Sequence, residues 1–224
     1  MSADASRGTT TFAGAGPRPA LPPVTRLLYL HGFRSSPQSF KARRFAAWLA
    51  AHRPAVHWHC PQLPSSAREA LRGVLAQIDT WPRETTAIVG SSLGGFYAMA
   101  VAERLGAACR AVLLNPAVDP ARDLAGYVGE LQAWHSGERF AFRAEDVAAL
   151  RELTPAVLTH PERYFAVIAK GDELLDWREM TARVEPARVK LLEAGDHALS
   201  DFDEHLPDIL DFLGLAQDEV RMDA

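Results

Sequence analysis

Cysteine is scarce in this sequence, which bears on both redox chemistry and metal binding. The 224 residues include 2 cysteines, Cys60 and Cys109, at a spacing that matches neither a zinc site nor a redox motif. We therefore expect both thiols to be reduced and packed in the interior. His57 and His59 share one face of a predicted strand, but no third ligand follows at a suitable spacing, so we favour an exposed edge strand or a packed strand over a metal site.

Long apolar runs and long runs of one charge are also missing. No segment approaches the roughly 20 apolar residues needed to cross a bilayer, and the N-terminus lacks the apolar centre of a signal peptide. The net charge is −4 and is spread along the chain, which argues against a nucleic-acid surface or a basic membrane patch. We expect a soluble cytoplasmic protein with neither partner, and the sequence predicts no particular oligomeric state.

The apolar residues that are present suffice for one core. With 48% hydrophobic content in 224 residues, a single α/β domain is the default expectation. Residues 1–23 are mostly Ser, Thr, Ala, Gly and Pro, so we predict a flexible N-terminal tail. The domain is expected to span residues 24–215, followed by a C-terminal tail at 216–224.

Short apolar runs alternate with amphipathic segments from residue 24 onward. This alternation predicts an α/β fold with a mostly parallel sheet of about six strands and helices on both faces. The predicted strands lie at 25–30, 56–60, 85–90, 111–114, 164–169 and 189–192.

One interval, about 117–162, shows no clear strand pattern and is too long for an ordinary connection. We predict that it forms a small helical cap over the site, with helices at 119–131 and 144–150. It contains four aromatic residues that either line an acyl-binding pocket or form a satellite core under the cap: Tyr127, Trp134, Phe140 and Phe142.

The motif that most strongly indicates a catalytic function is Gly90-x-Ser92-x-Gly94. It follows a predicted buried strand and opens a predicted helix, which is the setting of a nucleophile elbow. In such a turn the serine adopts a strained backbone, and the flanking positions must be small so that strand and helix can approach. The pattern therefore predicts that Ser92 projects above the sheet edge as a nucleophile.

A second glycine-containing turn, His31-Gly32-Phe33, follows the first predicted strand of the domain. Hydrolases with a nucleophile elbow place an oxyanion-binding loop at this position. We predict that the backbone N–H groups of Phe33 and Leu93 form the oxyanion hole, each contributing roughly 2.7–4 kcal/mol to transition-state stabilisation. His31 is expected to hold this loop through backbone hydrogen bonds.

Ser92, Asp172 and His197 each follow a predicted strand, in the chain order of an α/β-hydrolase triad. Among the 8 histidines, His197 is preferred as the base because it lies in a Gly-containing loop after the last strand. Glu173, Asp176 and Asp196 compete for the role of the acid. Asp172 is preferred because it directly follows the strand end, and Asp176 is its main rival.

Several short blocks occur in a fixed order along the chain: Leu28-Tyr29-Leu30-His31-Gly32-Phe33 with Ser35-Ser36-Pro37, Pro61-Gln62-Leu63-Pro64, Val89-Gly90-Ser91-Ser92-Leu93-Gly94-Gly95-Phe96-Tyr97, Asn115-Pro116-Ala117-Val118, Gly171-Asp172-Glu173 with Leu175-Asp176, and Gly195-Asp196-His197-Ala198. Together they resemble the YqiA-type bacterial esterases over about residues 26–215. The chain differs from that family in having Asp196, where Asn is usual, and in its longer N-terminal segment.

The resemblance implies an α/β-hydrolase fold and esterase or thioesterase activity on small acyl esters, including acyl-CoA. It places the triad on Ser92, Asp172 and His197 and implies no metal or organic cofactor. Two alternatives stay open, because fold alone does not determine function. One is another reaction on the same scaffold, such as acyl transfer, and the other is a non-catalytic binding protein.

Overall fold

A central sheet organises the computed structural model, which describes residues 11–13 and 22–216. In chain order, the strands are β1 Thr11–Ala13, β2 Arg26–Leu30, β3 His57–His59, β4 Thr86–Ser91, β5 Arg110–Leu114, β6 Gly129–Gln132, β7 Arg139–Phe142, β8 Tyr164–Ala169 and β9 Arg188–Leu192. Seven of them form one sheet in the order β1-β9-β8-β5-β4-β2-β3, and β6 pairs with β7 in a separate hairpin. The six strands other than β1 run parallel to one another, as predicted.

Helices cover both faces of this sheet. They are α1 Phe40–His52, α2 Ala67–Ile78, α3 Leu93–Leu105, α4 Pro120–Asp123, α5 Ala144–Leu153, α6 Trp177–Val184 and α7 Phe202–Leu213, with short 3₁₀ turns at Arg83–Thr85, Ala125–Tyr127 and Pro161–Arg163. Helices α2, α3, α5 and α6 pack on one face, and α1 and α7 pack on the other. The predicted fold class is therefore confirmed.

The period-two pattern of the strands explains the two-sided core. Along β2, Leu28 and Leu30 pack toward α2 and α3, whereas Leu27 and Tyr29 pack toward α1 and α7. Successive side chains of a strand point to opposite faces, so a strand buried on both sides must be apolar throughout. All four of these residues are at most 1% exposed.

The parallel arrangement also determines where the loops meet. Because the parallel strands share one direction, the loops after β2, β4, β5, β8 and β9 emerge at the same edge of the sheet. The predicted oxyanion loop, nucleophile, acid and base are carried by four of these loops.

The predicted cap region differs from the expectation in one respect. The helix predicted at 119–131 is limited to α4 and one 3₁₀ turn, and the hairpin β6–β7 follows. Gly129 has φ +143, which ends the helical path, and in the hairpin Leu131 pairs with Phe140. Each strand has only four residues, too few for the alternation to stand out in the sequence. The helix predicted at 144–150 is confirmed as α5.

The predicted flexible tail, residues 1–23, also needs a correction. Thr11–Ala13 form β1, which pairs antiparallel with β9 at the sheet edge. An edge strand can be held by backbone hydrogen bonds alone, so the amino-acid composition of residues 1–23 did not predict this strand. Residues 1–10 and 14–21 of that segment, and 217–224 of the predicted C-terminal tail, lie outside the described residues.

None of the helices in the described ranges is both long enough and apolar enough to span a bilayer.

Candidate active site

Ser92 lies in the sharp turn between β4 and α3. Its backbone has φ 56 and ψ −122, a conformation that costs a residue with a side chain of order 1–3 kcal/mol. The turn is fixed by hydrogen bonds from the Ser92 N–H to the Leu114 carbonyl and from the Ala117 N–H to the Ser92 carbonyl, both 3.0 Å. The strained turn predicted for a nucleophile elbow is therefore present.

The glycines of the motif are required by close backbone contacts. A Cβ at position 90 would lie 2.1 Å from the Gly94 carbonyl oxygen, and a Cβ at position 94 would lie 1.9 Å from the Leu30 carbonyl oxygen. Both distances are far inside van der Waals contact. The absence of side chains thus lets α3 start directly against the ends of β4 and β2.

The structure brings Ser92, His197 and Asp172 into one chain of hydrogen bonds. His197 Nε2 is 2.9 Å from Ser92 Oγ, and His197 Nδ1 is 2.7 Å from Asp172 Oδ2. The Asp172 side chain is fully buried, whereas that of His197 is 17% exposed. The second carboxylate oxygen, Oδ1, accepts hydrogen bonds from the backbone N–H groups of Leu174 at 2.9 Å and Leu175 at 2.8 Å.

The three acidic rivals of Asp172 have other partners. Asp176 caps α6, with its Oδ1 accepting from the Arg178 backbone N–H at 2.8 Å. Glu173 accepts a hydrogen bond from the backbone N–H of His197 at 2.9 Å, so it contacts the base without reaching its ring.

The extra carboxylate of Asp196 points away from the imidazole. Its two oxygens accept hydrogen bonds from the Ser200 backbone N–H at 2.9 Å and the Ser200 hydroxyl at 2.6 Å. These bonds lower the pKa of Asp196 below its usual value. Asp196 therefore shapes the loop that carries the histidine.

Asn115 is a positioning residue that the sequence reasoning did not single out. It is fully buried and has φ 40, at the end of β5. Its amide nitrogen donates to the carbonyls of Asp196 at 3.0 Å and His197 at 3.3 Å, and its oxygen accepts from the Ala169 N–H at 2.8 Å. The only sequence signal was the strand-ending Asn115-Pro116, because these partners lie 54 to 82 residues away.

The predicted oxyanion groups stand beside the serine. Within residues 22–216, neither the Phe33 nor the Leu93 backbone N–H donates to a protein acceptor. Leu93 is the first residue of α3, so its N–H points out of the helix start, where the dipole is positive. Gly32 packs close to Ser92, since a Cβ at position 32 would lie 3.3 Å from Ser92 Cβ.

His31 makes the backbone contacts predicted for it in the loop after β2. Its Nε2 accepts from the Leu63 backbone N–H at 3.1 Å, and its Nδ1 lies 3.0 Å from the Gly32 carbonyl. These two contacts require a neutral ring that carries its proton on Nδ1. Burial lowers the pKa of His31 below its ordinary value, which favours that neutral form.

Three aromatic residues of the cap pack against Phe33 in the predicted oxyanion loop. The Phe33 ring packs edge-on against Tyr127, Phe140 and Phe142, with centroid distances of 5.8, 6.3 and 5.1 Å. Phe142 is buried. The satellite-core alternative therefore applies to Phe142.

A cavity of about 550 Å³ opens beside Ser92 and His197. Tyr127 and Trp134 of the cap line it, and at its mouth Phe40, Trp134 and Leu174 are 45%, 64% and 63% exposed. The prediction of an aromatic-lined pocket agrees with the position of Tyr127 and Trp134.

A second cavity of about 540 Å³ lies on the other side of the oxyanion loop. Gly32, Phe33 and Leu93 line both cavities, whereas Phe140 lines only the second. The two spaces therefore meet next to the predicted oxyanion hole.

Residues 26–214 match the model of an uncharacterised protein family, UPF0227, which is the YqiA-like family. This match covers most of the chain. The chain belongs to this family. The resemblance drawn from the sequence blocks is thereby confirmed.

Solved structures agree on the fold of this family member. A candidate hydrolase from Agrobacterium vitis S4 is 20% identical, with a TM-score of 0.64, covering 92% of this chain and 98% of its own. Mouse alpha/beta hydrolase domain-containing protein 10 is 16% identical, with a TM-score of 0.63 and coverage of 92% and 99%. Est1E from Butyrivibrio proteoclasticus, solved with ferulic acid, is 14% identical, with a TM-score of 0.61 and coverage of 92% and 94%. These similarities establish the α/β-hydrolase fold.

Proposed function

We propose that this family member is a serine hydrolase that cleaves carboxylic esters or thioesters of small acyl substrates, acyl-CoA among them. The observation that carries the proposal is the hydrogen-bonded chain Ser92–His197–Asp172, next to the backbone N–H groups of Phe33 and Leu93. A nucleophile, an oriented base and two oxyanion donors are the parts that acyl transfer to water requires.

In the proposed mechanism, His197 Nε2 removes the proton of the Ser92 hydroxyl as its oxygen attacks the acyl carbon. The tetrahedral oxyanion accepts hydrogen bonds from the Phe33 and Leu93 N–H groups. His197 then gives its proton to the departing alcohol or thiol, and an acyl-serine remains. A water molecule, deprotonated by the same histidine, attacks the acyl-serine; the imidazolium returns that proton to Ser92 Oγ as the acyl–oxygen bond breaks, which releases the acid and restores the enzyme. Asp172 holds the Nδ1–H tautomer and stabilises the imidazolium.

The cavities support a substrate with two sizeable halves. Because both meet at Phe33 and Leu93, an ester carbonyl bound there would have space on either side. The cavity beside His197 is lined mainly by apolar residues, including Leu124, Leu175 and Trp134. An apolar acyl chain fits this lining.

The direct test is hydrolysis of 4-nitrophenyl esters from acetate to palmitate, with an acyl-CoA alongside, by the wild type and by Ser92→Ala. We expect turnover of at least one substrate by the wild type and a loss of about 10⁴- to 10⁶-fold in kcat for the variant. A circular dichroism spectrum controls for folding. Equal activity of a folded Ser92→Ala protein would refute the proposal.

Trp134→Ala is expected to change chain-length preference. Trp134 lines the cavity mouth, and its backbone N–H, which alanine keeps, donates to the Arg34 carbonyl at 2.9 Å. Loss of the ring should raise KM for octanoate and longer esters by about 5- to 30-fold, from about 1–2 kcal/mol of lost apolar contact, with little effect on acetate. The matched control is Val157→Ala, because Val157 is 66% exposed and lies outside the cavity lining. An unchanged chain-length profile would show that Trp134 does not contact the acyl chain.

A further inference from the structure

A partly buried lysine lines the cavity next to the proposed catalytic residues. Of the described residues that line this cavity, Lys41 is the only lysine or arginine. It lies in the first turn of α1, and its Nζ donates to the carbonyl of Ala198, the residue after His197. An ammonium group has three N–H donors, so two remain for another acceptor.

Ser39, next to this lysine, has an unused polar atom. It lines the same cavity, and its Oγ is buried without a hydrogen-bond partner among the residues that the structure describes. A serine at the N-cap of a helix usually accepts from the first-turn N–H groups, but Ser39 makes no such bond. Its hydroxyl is therefore free to donate to a group in the cavity.

The helix start adds a third source of positive potential. Helix α1 has 13 residues, and its first intrahelical hydrogen bond runs from the Arg43 N–H to the Ser39 carbonyl. The N–H groups before Arg43 thus lie at the positive end of the dipole. A lysine, an unpaired hydroxyl and a helix N-terminus together form the donor set that binds carboxylate or phosphate.

The charged groups around Lys41 leave a place for an added anion. Asp196 and Asp172 both act on Lys41 through space, but their oxygens are used by Ser200 and His197 respectively. Asp123 also lines the cavity. Its Oδ1 is paired with Arg122 at 2.8 Å, whereas its Oδ2 is buried without a hydrogen-bond partner among the described residues. Burial outweighs these carboxylates and lowers the pKa of Lys41 to about 8.

We propose that Lys41 and Ser39 form a subsite for an anionic substituent, a carboxylate or a phosphate, on the ester that Ser92 attacks. This inference rests on the proposed function and narrows the substrate class. The position of the anion, on the acyl half or on the leaving group, is determined by the test below.

Three esters distinguish these positions: 4-nitrophenyl hexanoate, mono-4-nitrophenyl adipate with a carboxylate on the acyl half, and 3-carboxy-4-nitrophenyl hexanoate with one on the leaving group. In Lys41→Met, the ratio of kcat/KM for one anionic ester to that for hexanoate should fall by about tenfold or more. Lys41→Arg should retain the wild-type ratio. Equal ratios in wild type and Lys41→Met for both anionic esters would overturn the proposal.

The pH profile separates a charge effect from a packing effect. In the wild type, the preference for the anionic ester should decline as pH rises through about 8, the pKa of Lys41, because the amine loses its charge. In Lys41→Arg the preference should persist, since the guanidinium stays protonated. A wild-type preference that is constant from pH 7 to 9.5 would contradict the subsite.

A binding measurement tests the subsite without catalysis. In the Ser92→Ala background, monobenzyl adipate or 3-carboxy-4-nitrophenyl hexanoate, according to the half of the ester that the kinetics identify, should bind about tenfold more tightly than its neutral amide, and Lys41→Met should remove that difference. Equal affinities of acid and amide for both compounds would refute the subsite whatever the activity. Conversely, a wild type that hydrolyses no ester would refute the proposed function and leave this binding result to decide the subsite.

Discussion

Replacing Asp172 by asparagine is expected to lower kcat for ester hydrolysis by about 10⁴-fold while the fold persists. The asparagine oxygen should keep the hydrogen bonds from the Leu174 and Leu175 N–H groups, which leaves its NH₂ facing His197 Nδ1. The imidazole must then accept at Nδ1 and carry its proton on Nε2. In that tautomer it cannot take the proton of Ser92.

The matched control for this prediction is Asp176→Asn. Asp176 caps α6 through a hydrogen bond from the Arg178 N–H, and asparagine caps helices about as well as aspartate. We expect kcat to stay within about threefold of the wild type. A large loss of kcat in Asp176→Asn together with a small loss in Asp172→Asn would instead assign the role of the acid to Asp176.

The second large effect is expected for Gly94→Ala. The new Cβ would lie 1.9 Å from the Leu30 carbonyl oxygen and 2.8 Å from that of His31. Both contacts are to backbone, so either α3 or the oxyanion loop must move. We expect the free energy of unfolding to fall by about 3 kcal/mol or more, or the protein to fail to fold, as measured by urea denaturation.

Gly73→Ala provides the control for adding a methyl group. Gly73 lies inside α2, where a Cβ would meet no atom within 4 Å. Alanine there should raise the free energy of unfolding by about 0.5–1 kcal/mol, since it favours the helix. A Gly94→Ala protein as stable as the Gly73→Ala protein would show that the elbow does not need its glycine.

Most of the fold could be predicted from sequence patterns that extend over only a few residues. The bounds of β8 and the start of α3 follow directly from an apolar run and from Gly90-x-Ser92-x-Gly94, because these signals lie within a few residues of the elements they define. Parallel strands with helices between them leave few arrangements. The meeting of Ser92, Asp172 and His197 could be predicted for the same reason, since each follows a strand whose end can be recognised in the sequence.

Features that depend on distant contacts could not be read in this way. The hairpin β6–β7 consists of two four-residue strands whose pairing outweighs local helix propensity. Asn115 acts through partners on β8 and on the loop after β9, and Lys41 acts through a carbonyl 157 residues away. Only the assembled sheet brings these groups together, so no local pattern distinguishes them from other polar residues.

The central claim is that Ser92 is an activated nucleophile. It is tested most directly by treating the protein with an alkyl fluorophosphonate, which reacts with such serines, and locating the adduct by peptide mass spectrometry. We expect one adduct, on Ser92, that is absent in Ser92→Ala and forms far more slowly in Asp172→Asn. An unmodified Ser92 in the folded wild type, or an adduct on another residue, would contradict the account.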